Sequence, residues 1–82
     1  MAGNRTRDGL RLTDIVKAAI EIGVRIREGA SHLYILNYGM LRPCPVATST
    51  DAYRMVAPWL AKASGRKKEE AYQAMRRGGW DY

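Results

Sequence analysis

The 82-residue sequence has one cysteine, one histidine and no long apolar run. Cys44 lies alone between two prolines, which excludes an intramolecular disulfide and a zinc cluster of the usual spacing; a reducing cytoplasm is its simplest location. The longest uncharged stretch, residues 29–41, is too short and too polar to span a bilayer, which takes about 20 apolar residues. The amino terminus has no apolar segment after its charged start. We therefore expect neither a signal peptide nor a membrane partner.

Acidic residues are fewer than basic ones, and this charge imbalance indicates which kind of molecule the protein binds. Fourteen Lys and Arg stand against eight Asp and Glu, which gives a formal net charge of +6. Because the cations are spread along the chain, the charge favours a polyanionic partner such as nucleic acid or an acidic protein. A solvated basic surface is the alternative. A chain of this length has room for one domain.

Helical periodicity begins after a polar start. Residues 1–12 are rich in arginine and glycine and poor in apolar side chains, so we expect a flexible basic arm. Thr13 is a good N-cap for a first helix, and Asp14 suits its first turn. Gly23 is placed to end the helix. The apolar positions follow i, i+3, i+4 and i+7, which indicates one buried stripe: Ile15, Ala18, Ala19 and Ile22.

The apolar period changes to two at Val24, which predicts strands. The first strand starts at Val24, the second covers residues 31–37 and the third covers residues 40–46. Turn residues separate them, so we expect an antiparallel meander. The third strand contains Pro43 and Pro45, and a proline cannot donate to a strand ladder from a central position. That strand is therefore predicted at an edge of the sheet.

Two further helices are predicted after the strands. A second helix opens near Asp51, and Pro58 should kink or split it because proline removes a hydrogen bond inside a helix. A third helix covers residues 67–77. The expected fold is therefore α+β: a helix, a three-stranded antiparallel meander and a helix over residues 13–65, with an additional C-terminal helix and tail over residues 66–82.

Strand alternation groups four polar side chains on one side of the predicted sheet. If Val24, Ile26, Leu33 and Ile35 face the helices, the uncovered face presents this set: Arg25, Arg27, His32 and Tyr34. The two guanidiniums can bind phosphate, Tyr34 can stack on a base, and Ser31 adds a hydroxyl. His32 can exchange a proton with a ribose 2′-hydroxyl near neutral pH. Ordinary alternation on a solvated sheet face is the alternative interpretation.

Other chemical sites have little support. One histidine and scattered acids show no metal-ligand spacing, so no metal site is predicted. Cys44 has no neighbouring activator, which favours an inert thiol. The run Arg66-Lys67-Lys68 can contact a phosphate backbone, although a solvent-facing charge run is the commoner explanation.

The predicted element order and two short segments resemble the HicA toxins, small mRNA interferases with a double-stranded-RNA-binding-like (dsRBD-like) fold. The first segment runs from Gly23 to Glu28, and the second is Ala30-Ser31-His32-Leu33-Tyr34. In that family a helix ends in glycine, a strand follows, and a Gly-Ser-His motif opens the next strand. Here Ala30 takes the first position of the motif. The resemblance covers residues 13–65.

The resemblance implies a toxin-antitoxin function. His32 would be the catalytic residue of a metal-independent endoribonuclease, a hydrolase that cleaves mRNA and needs no small-molecule cofactor. Arg25, Arg27 and Arg42 would bind the RNA phosphates, and a HicB-like antitoxin would cover this surface in the cytoplasm. Family members often have a second histidine after the third strand, whereas Ala-Thr-Ser occupies residues 47–49 here.

Two other functions remain open at this point. The first is a non-catalytic nucleic-acid-binding module, such as a phage or prophage regulator, that holds its ligand with the basic arm and with residues 66–68. The second is a small adaptor that docks on another protein through Trp80 and Tyr82.

Overall fold

A three-stranded sheet packed against helices forms the architecture of the chain. The computed structural model describes residues 4–29 and 34–80. Its elements, in chain order, are α1 (Leu12–Glu21), β1 (Arg25–Glu28), β2 (Tyr34–Asn37), β3 (Cys44–Val46), α2 (Ala57–Ser64) and α3 (Lys68–Arg77), and a π-helical segment (Ala52–Val56) leads into α2. Three helices and an antiparallel sheet confirm the predicted α+β class.

Helix α1 is confirmed with small shifts at both ends. It begins at Leu12 rather than after Thr13, and the N-cap residue, Arg11, is extended and makes no side-chain capping bond. Leu12 is 2% exposed, so burial of this side chain favours the earlier start. Gly23 follows the helix with a φ of +91°, a conformation that glycine adopts at little cost.

The strands lie in the order β1-β2-β3, and both pairs are antiparallel. Strand β3 is therefore an edge strand, as the prolines predicted. It covers only Cys44–Val46, because Pro43 and the turn before it do not join the ladder. Within β3, Pro45 is exposed while Cys44 and Val46 are buried.

The helix that was expected to be kinked or split at Pro58 changes from π-helix to α-helix just before this proline. The segment Ala52–Val56 is π-helical, and α2 starts at Ala57 with Pro58 in its first turn. The backbone N–H of Ala57 donates to the carbonyl of Ala52, five residues back. Pro58 has no N–H and cannot donate a hydrogen bond inside the helix. The wider π-turn lies directly before this position.

Helix α3 is part of the core rather than an appendage. Its side chains Ala71, Ala74 and Met75 are fully buried, and the helix packs against α1 and α2. Trp80, just beyond α3, is 9% exposed and its Nε1 donates to the carbonyl of Ala18 at 2.8 Å. This differs from the adaptor hypothesis, in which Trp80 is exposed for docking. Tyr82 lies outside the described residues.

The N-terminal segment from residue 4 to residue 11 also packs on the core. Thr6 and Leu10 are about 95% buried (5% and 6% exposed). The carboxylate of Asp8 accepts hydrogen bonds from the backbone N–H groups of Ala52 (2.9 Å) and Tyr53 (3.1 Å). Over residues 4–11 this packing differs from the flexible arm that was expected, because Asp8 satisfies the free amides at the start of a distant helix. Residues 1–3 of the predicted arm lie outside the described residues.

Within the described ranges, 4–29 and 34–80, every helix is too short or too polar to cross a membrane.

Candidate nucleic-acid interface

One side of the sheet carries two arginines and an asparagine. Arg25 of β1 pairs with Asn37 of β2, and Arg27 pairs with Ile35, which in turn pairs with Pro45 of β3. Paired residues in neighbouring strands point to the same side of a sheet. We call these five residues the outer face. Both arginines and Pro45 are exposed, and Ile35 and Asn37 are half-buried.

The opposite side of the sheet, the inner face, covers the core. Leu36 and Val46 are fully buried there, and Ile26 and Tyr34 pack against the buried cluster. Ile26 pairs with Leu36, and Tyr34 pairs with Val46. The helices therefore contact this side of the sheet and leave the outer face to solvent.

The orientation predicted for β2 is wrong. We expected Ile35 toward the helices and Tyr34 beside the two arginines, but Leu36 is the buried residue, so Tyr34 shares the inner face and Ile35 the outer one. The run Tyr34-Ile35-Leu36 is apolar throughout, so alternation alone does not say which residues are buried. A shift of one residue then moves every side chain to the other face.

The sequence-predicted site is brought together in part. Arg25 and Arg27 do share the outer face, as expected, whereas Tyr34 does not join them. Ser31 and His32 lie outside the described residues. Arg42 is exposed in the turn before β3, where its carbonyl accepts a hydrogen bond from Nε1 of Trp59 at 2.6 Å.

The two outer-face guanidiniums are available for a ligand. In the part of the chain that the structure describes, neither Arg25 nor Arg27 has an ion-pair or hydrogen-bond partner. They stand two residues apart on one strand, which separates their Cα atoms by about 7 Å. Guanidinium groups bind phosphate oxygens through paired hydrogen bonds, so this spacing allows contact with neighbouring phosphates of one strand.

A groove of about 450 Å³ lies at the end of the outer face where β1 starts and β2 ends. Its lining residues are Gly23, Arg25, Asn37, Tyr38 and Gly39. Sequence reasoning missed Asn37 and Tyr38, because the first is the last residue of the predicted second strand and the second lies in the turn that follows it. The pairing of Leu36 with Ile26 would have identified Asn37. In an antiparallel pair the residue after Leu36 lies opposite the residue before Ile26, which is Arg25.

A second polar recess, of about 490 Å³, lies on the helical side of the molecule. Arg5, Arg11 and Arg76 line it together with Asp8, Asp14 and Tyr72. Burial alone would raise the pKa of Asp8, but hydrogen bonds from Thr6 and from the amides of Ala52 and Tyr53 outweigh it and hold the pKa below its ordinary value. This carboxylate caps a helix, so its oxygens already accept hydrogen bonds from the protein.

In the basic run at residues 66–68, two side chains contact other residues of the protein. Arg66 forms an ion pair with Glu70 at 3.6 Å. The ammonium group of Lys68 lies 3.9 Å from the ring centroid of Tyr53, and that ring meets Tyr72 edge to face. Two of the three basic side chains of the run, Arg66 and Lys68, therefore contact other residues of the protein.

The thiol of Cys44 is not a candidate nucleophile. It is 6% exposed, and burial raises its pKa to about 11, so the thiol stays protonated at neutral pH. Residues 4–29 and 34–80 contain no group of three His, Cys, Asp or Glu side chains that could hold a metal ion.

Comparisons of the chain with protein-family models, with curated proteins and with solved structures find no match.

Proposed function

We propose that the protein binds RNA on the outer face of its sheet and cleaves it with His32, as a HicA-like mRNA interferase. The observation that carries the proposal is the pair Arg25 and Arg27, exposed together and without an acidic partner among the described residues. The motif around His32 supplies the catalytic part of the proposal. The arrangement of a helix, a meander and further helices is compatible with a dsRBD-like fold, and that assignment belongs to the same proposal.

The roles divide by chemistry. Arg25 and Arg27 bind and neutralise phosphates. His32 accepts the proton of a ribose 2′-hydroxyl, and the resulting oxygen attacks the adjacent phosphorus. The bond to the 5′-oxygen breaks, and that oxygen takes up a proton from water. The products are a cyclic 2′,3′-phosphate and a 5′-hydroxyl. General acid–base catalysis of this kind contributes about 10²- to 10⁴-fold in rate.

Two of the remaining sequence-predicted residues have supporting roles in RNA binding. Ser31 lies next to His32 in the chain, and its hydroxyl can donate a hydrogen bond to the same phosphate. Arg42 can add a phosphate contact from its turn. Tyr34 has no role in this proposal, because its ring packs on the inner face.

The biological setting follows from the resemblance. We place the protein in the cytoplasm as the toxin of a toxin-antitoxin pair, where a HicB-like antitoxin would cover the basic outer face. Such a partner should present acidic groups to Arg25 and Arg27.

The experiment compares the wild type with His32→Ala on a single-stranded RNA in the presence of EDTA. The proposal predicts cleavage by the wild type without a divalent metal ion, loss of cleavage in the variant, and equal RNA affinity for both proteins. Equal cleavage by the variant would overturn the role of His32.

A non-catalytic nucleic-acid-binding module on the same face is the second candidate. It is favoured by the location of both Arg25 and Arg27 on β1, because the proposed phosphate contacts then do not depend on His32. RNA binding by the wild type, with no cleavage under any condition, would select this function. The RNA contacts would come from the outer face rather than from residues 66–68, where Arg66 contacts Glu70 and Lys68 contacts Tyr53.

A further inference from the structure

The groove at the end of the outer face has the composition of a nucleobase site. It combines a cation, an amide, an aromatic ring and two glycines within about 450 Å³. Sites for small ligands commonly measure roughly 300 to 1,000 Å³ and hold a few polar groups that set orientation. The geometry points to a base-reading subsite in this groove, in which Asn37 hydrogen-bonds the edge of an adenine while Arg25 binds its phosphate. This inference rests on the proposed RNA binding and deepens it.

Asn37 has hydrogen-bonding capacity to spare. Its Nδ2 makes one long bond, 3.4 Å, to the carbonyl of Ile35. In the described part of the chain Oδ1 has no partner, and a second N–H of the amide is also free. A bond of that length is weak and easily exchanged for a ligand. Asn37 can therefore offer a base one donor and one acceptor side by side.

Adenine matches that pair better than the other bases do. An asparagine amide bonds adenine through its N6 amino group and N7. In single-stranded RNA the Watson–Crick edge is exposed as well, and there adenine again offers its N6 amino group, now beside N1. On the edge that carries N7, guanine has two acceptors, O6 and N7, and cannot bond the N–H and the oxygen of the amide together. The amide therefore fits only the Watson–Crick edge of guanine. Pyrimidines offer one matching edge and a smaller ring for stacking.

Tyr38 supplies a fixed ring at the side of the groove. It is half-buried and packs against the core, and its carbonyl accepts a hydrogen bond from the N–H of Leu41 at 3.0 Å. A Cβ atom placed on Gly23 would lie 3.8 Å from Cε1 of this ring, so a larger side chain at this position would crowd the ring. Gly23 therefore leaves that side of the ring open. Bases stack on such preordered rings with little loss of conformational freedom.

Arg25 connects the base site with the phosphate-binding face. It pairs with Asn37 across the strands, and side chains paired in this way have Cβ atoms about 5 Å apart. The same arginine lines the groove around Arg27 and the groove around Tyr38. One nucleotide can thus place its base beside Asn37 and its phosphate at Arg25, while the next phosphate reaches Arg27.

The test measures the affinity of uridine decamers that carry adenine, guanine, cytosine or uridine at one central position. His32→Ala protein keeps the RNA intact, and fluorescence anisotropy reports binding. The expected result is tighter binding of the adenine decamer by roughly fivefold or more, the discrimination of one bidentate base contact. Asn37→Ala should remove the preference, so that the four decamers bind with similar affinity. Gln73→Ala, which truncates an exposed amide on α3, is the matched control and should keep the preference.

Asn37→Asp provides a second readout that loss of folding cannot imitate. A carboxylate only accepts hydrogen bonds, and guanine offers two adjacent donors on its Watson–Crick edge. This variant should therefore prefer the guanine decamer. Equal affinity of the His32→Ala protein for all four decamers would overturn the base site and leave the proposed function intact. Absence of binding to every decamer would overturn the proposed function, and the base site with it.

Discussion

Arg25 and Asn37 stand directly opposite each other in β1 and β2, with their side chains on the solvent side of the sheet. The neighbouring pair, Ile26 and Leu36, points the other way into the core. Burial of Leu36 thus determines which polar groups face a ligand. Hydrophobic packing on one face of the sheet positions the chemistry on the other.

Loss of the two outer-face arginines should weaken RNA binding and its dependence on salt. Each phosphate contact on a single strand contributes about 0.7 to the slope of log affinity against log salt. Arg25→Ala with Arg27→Ala should therefore reduce that slope by about 1.4, measured by anisotropy over a salt series. Lys17→Ala with Lys62→Ala removes the same charge from exposed helix positions and serves as the control. An equal loss in both double variants would show that net charge, rather than the outer face, determines binding.

Asp8 should stabilise the fold at neutral pH. Its carboxylate caps the amides of Ala52 and Tyr53, and replacement of such a cap by alanine costs about 1 to 2 kcal/mol. We expect Asp8→Ala to lower the free energy of unfolding by that amount in urea denaturation at pH 7. Glu69→Gln, at an exposed acid on α3, should change it by no more than about 0.5 kcal/mol.

The contribution of Asp8 should also depend on pH. The pKa of this group is lower in the folded protein than its ordinary value of 3.8. The stabilisation is therefore complete above that value and is lost as pH falls toward the folded-state pKa. The difference in unfolding free energy between wild type and Asp8→Asn should shrink in acid. A difference that grows as the pH falls would contradict the capping role.

Trp80 should be a structural residue. The side chain is buried against α1, and truncation of a buried tryptophan costs about 3 to 5 kcal/mol. Trp80→Ala should therefore unfold at a much lower temperature, whereas Trp80→Phe should lose about 1 kcal/mol, the value of its hydrogen bond to Ala18. Met55→Ala, at a side chain that is 60% exposed, is the surface control. A Trp80→Ala protein with wild-type stability would restore the docking hypothesis.

Cys44 should resist thiol reagents in the folded protein. With the pKa raised to about 11, the thiolate fraction at pH 8 is on the order of 10⁻³, and burial limits access further. Labelling with an aromatic disulfide should be slow in buffer and rapid in denaturant. Fast stoichiometric labelling of the native protein would show that β3 opens readily.

The features predictable from the sequence are those set by local chemistry. The apolar stripe of α1 predicts that helix. Pro58 limits the start of α2 through its missing N–H, which is a local property of the residue. Pro45 confines β3 to an edge for the same local reason. The arginines of β1 alternate with clearly apolar residues, so the side they occupy was predictable too.

The features that escaped prediction depend on distant contacts. Strand β2 offers apolar side chains to both faces, and only its pairing with Ile26 selects Leu36 for the core. The N-terminal segment has the composition of a flexible arm, yet Asp8 fixes it to an amide 44 residues away. Burial of Trp80 likewise requires the carbonyl of Ala18, 62 residues earlier. None of these pairings leaves a periodic signal in the sequence.

The most direct test of RNA binding on the outer face is an NMR titration of isotope-labelled His32→Ala protein with a single-stranded RNA decamer. Side-chain resonances of Arg25, Arg27 and Asn37 report on that face, and those of Arg76 and Gln73 report on α3. We predict that the first set shifts with increasing RNA while the second set stays in place. Shifts confined to the α3 resonances, with the outer-face resonances unchanged, would contradict the account.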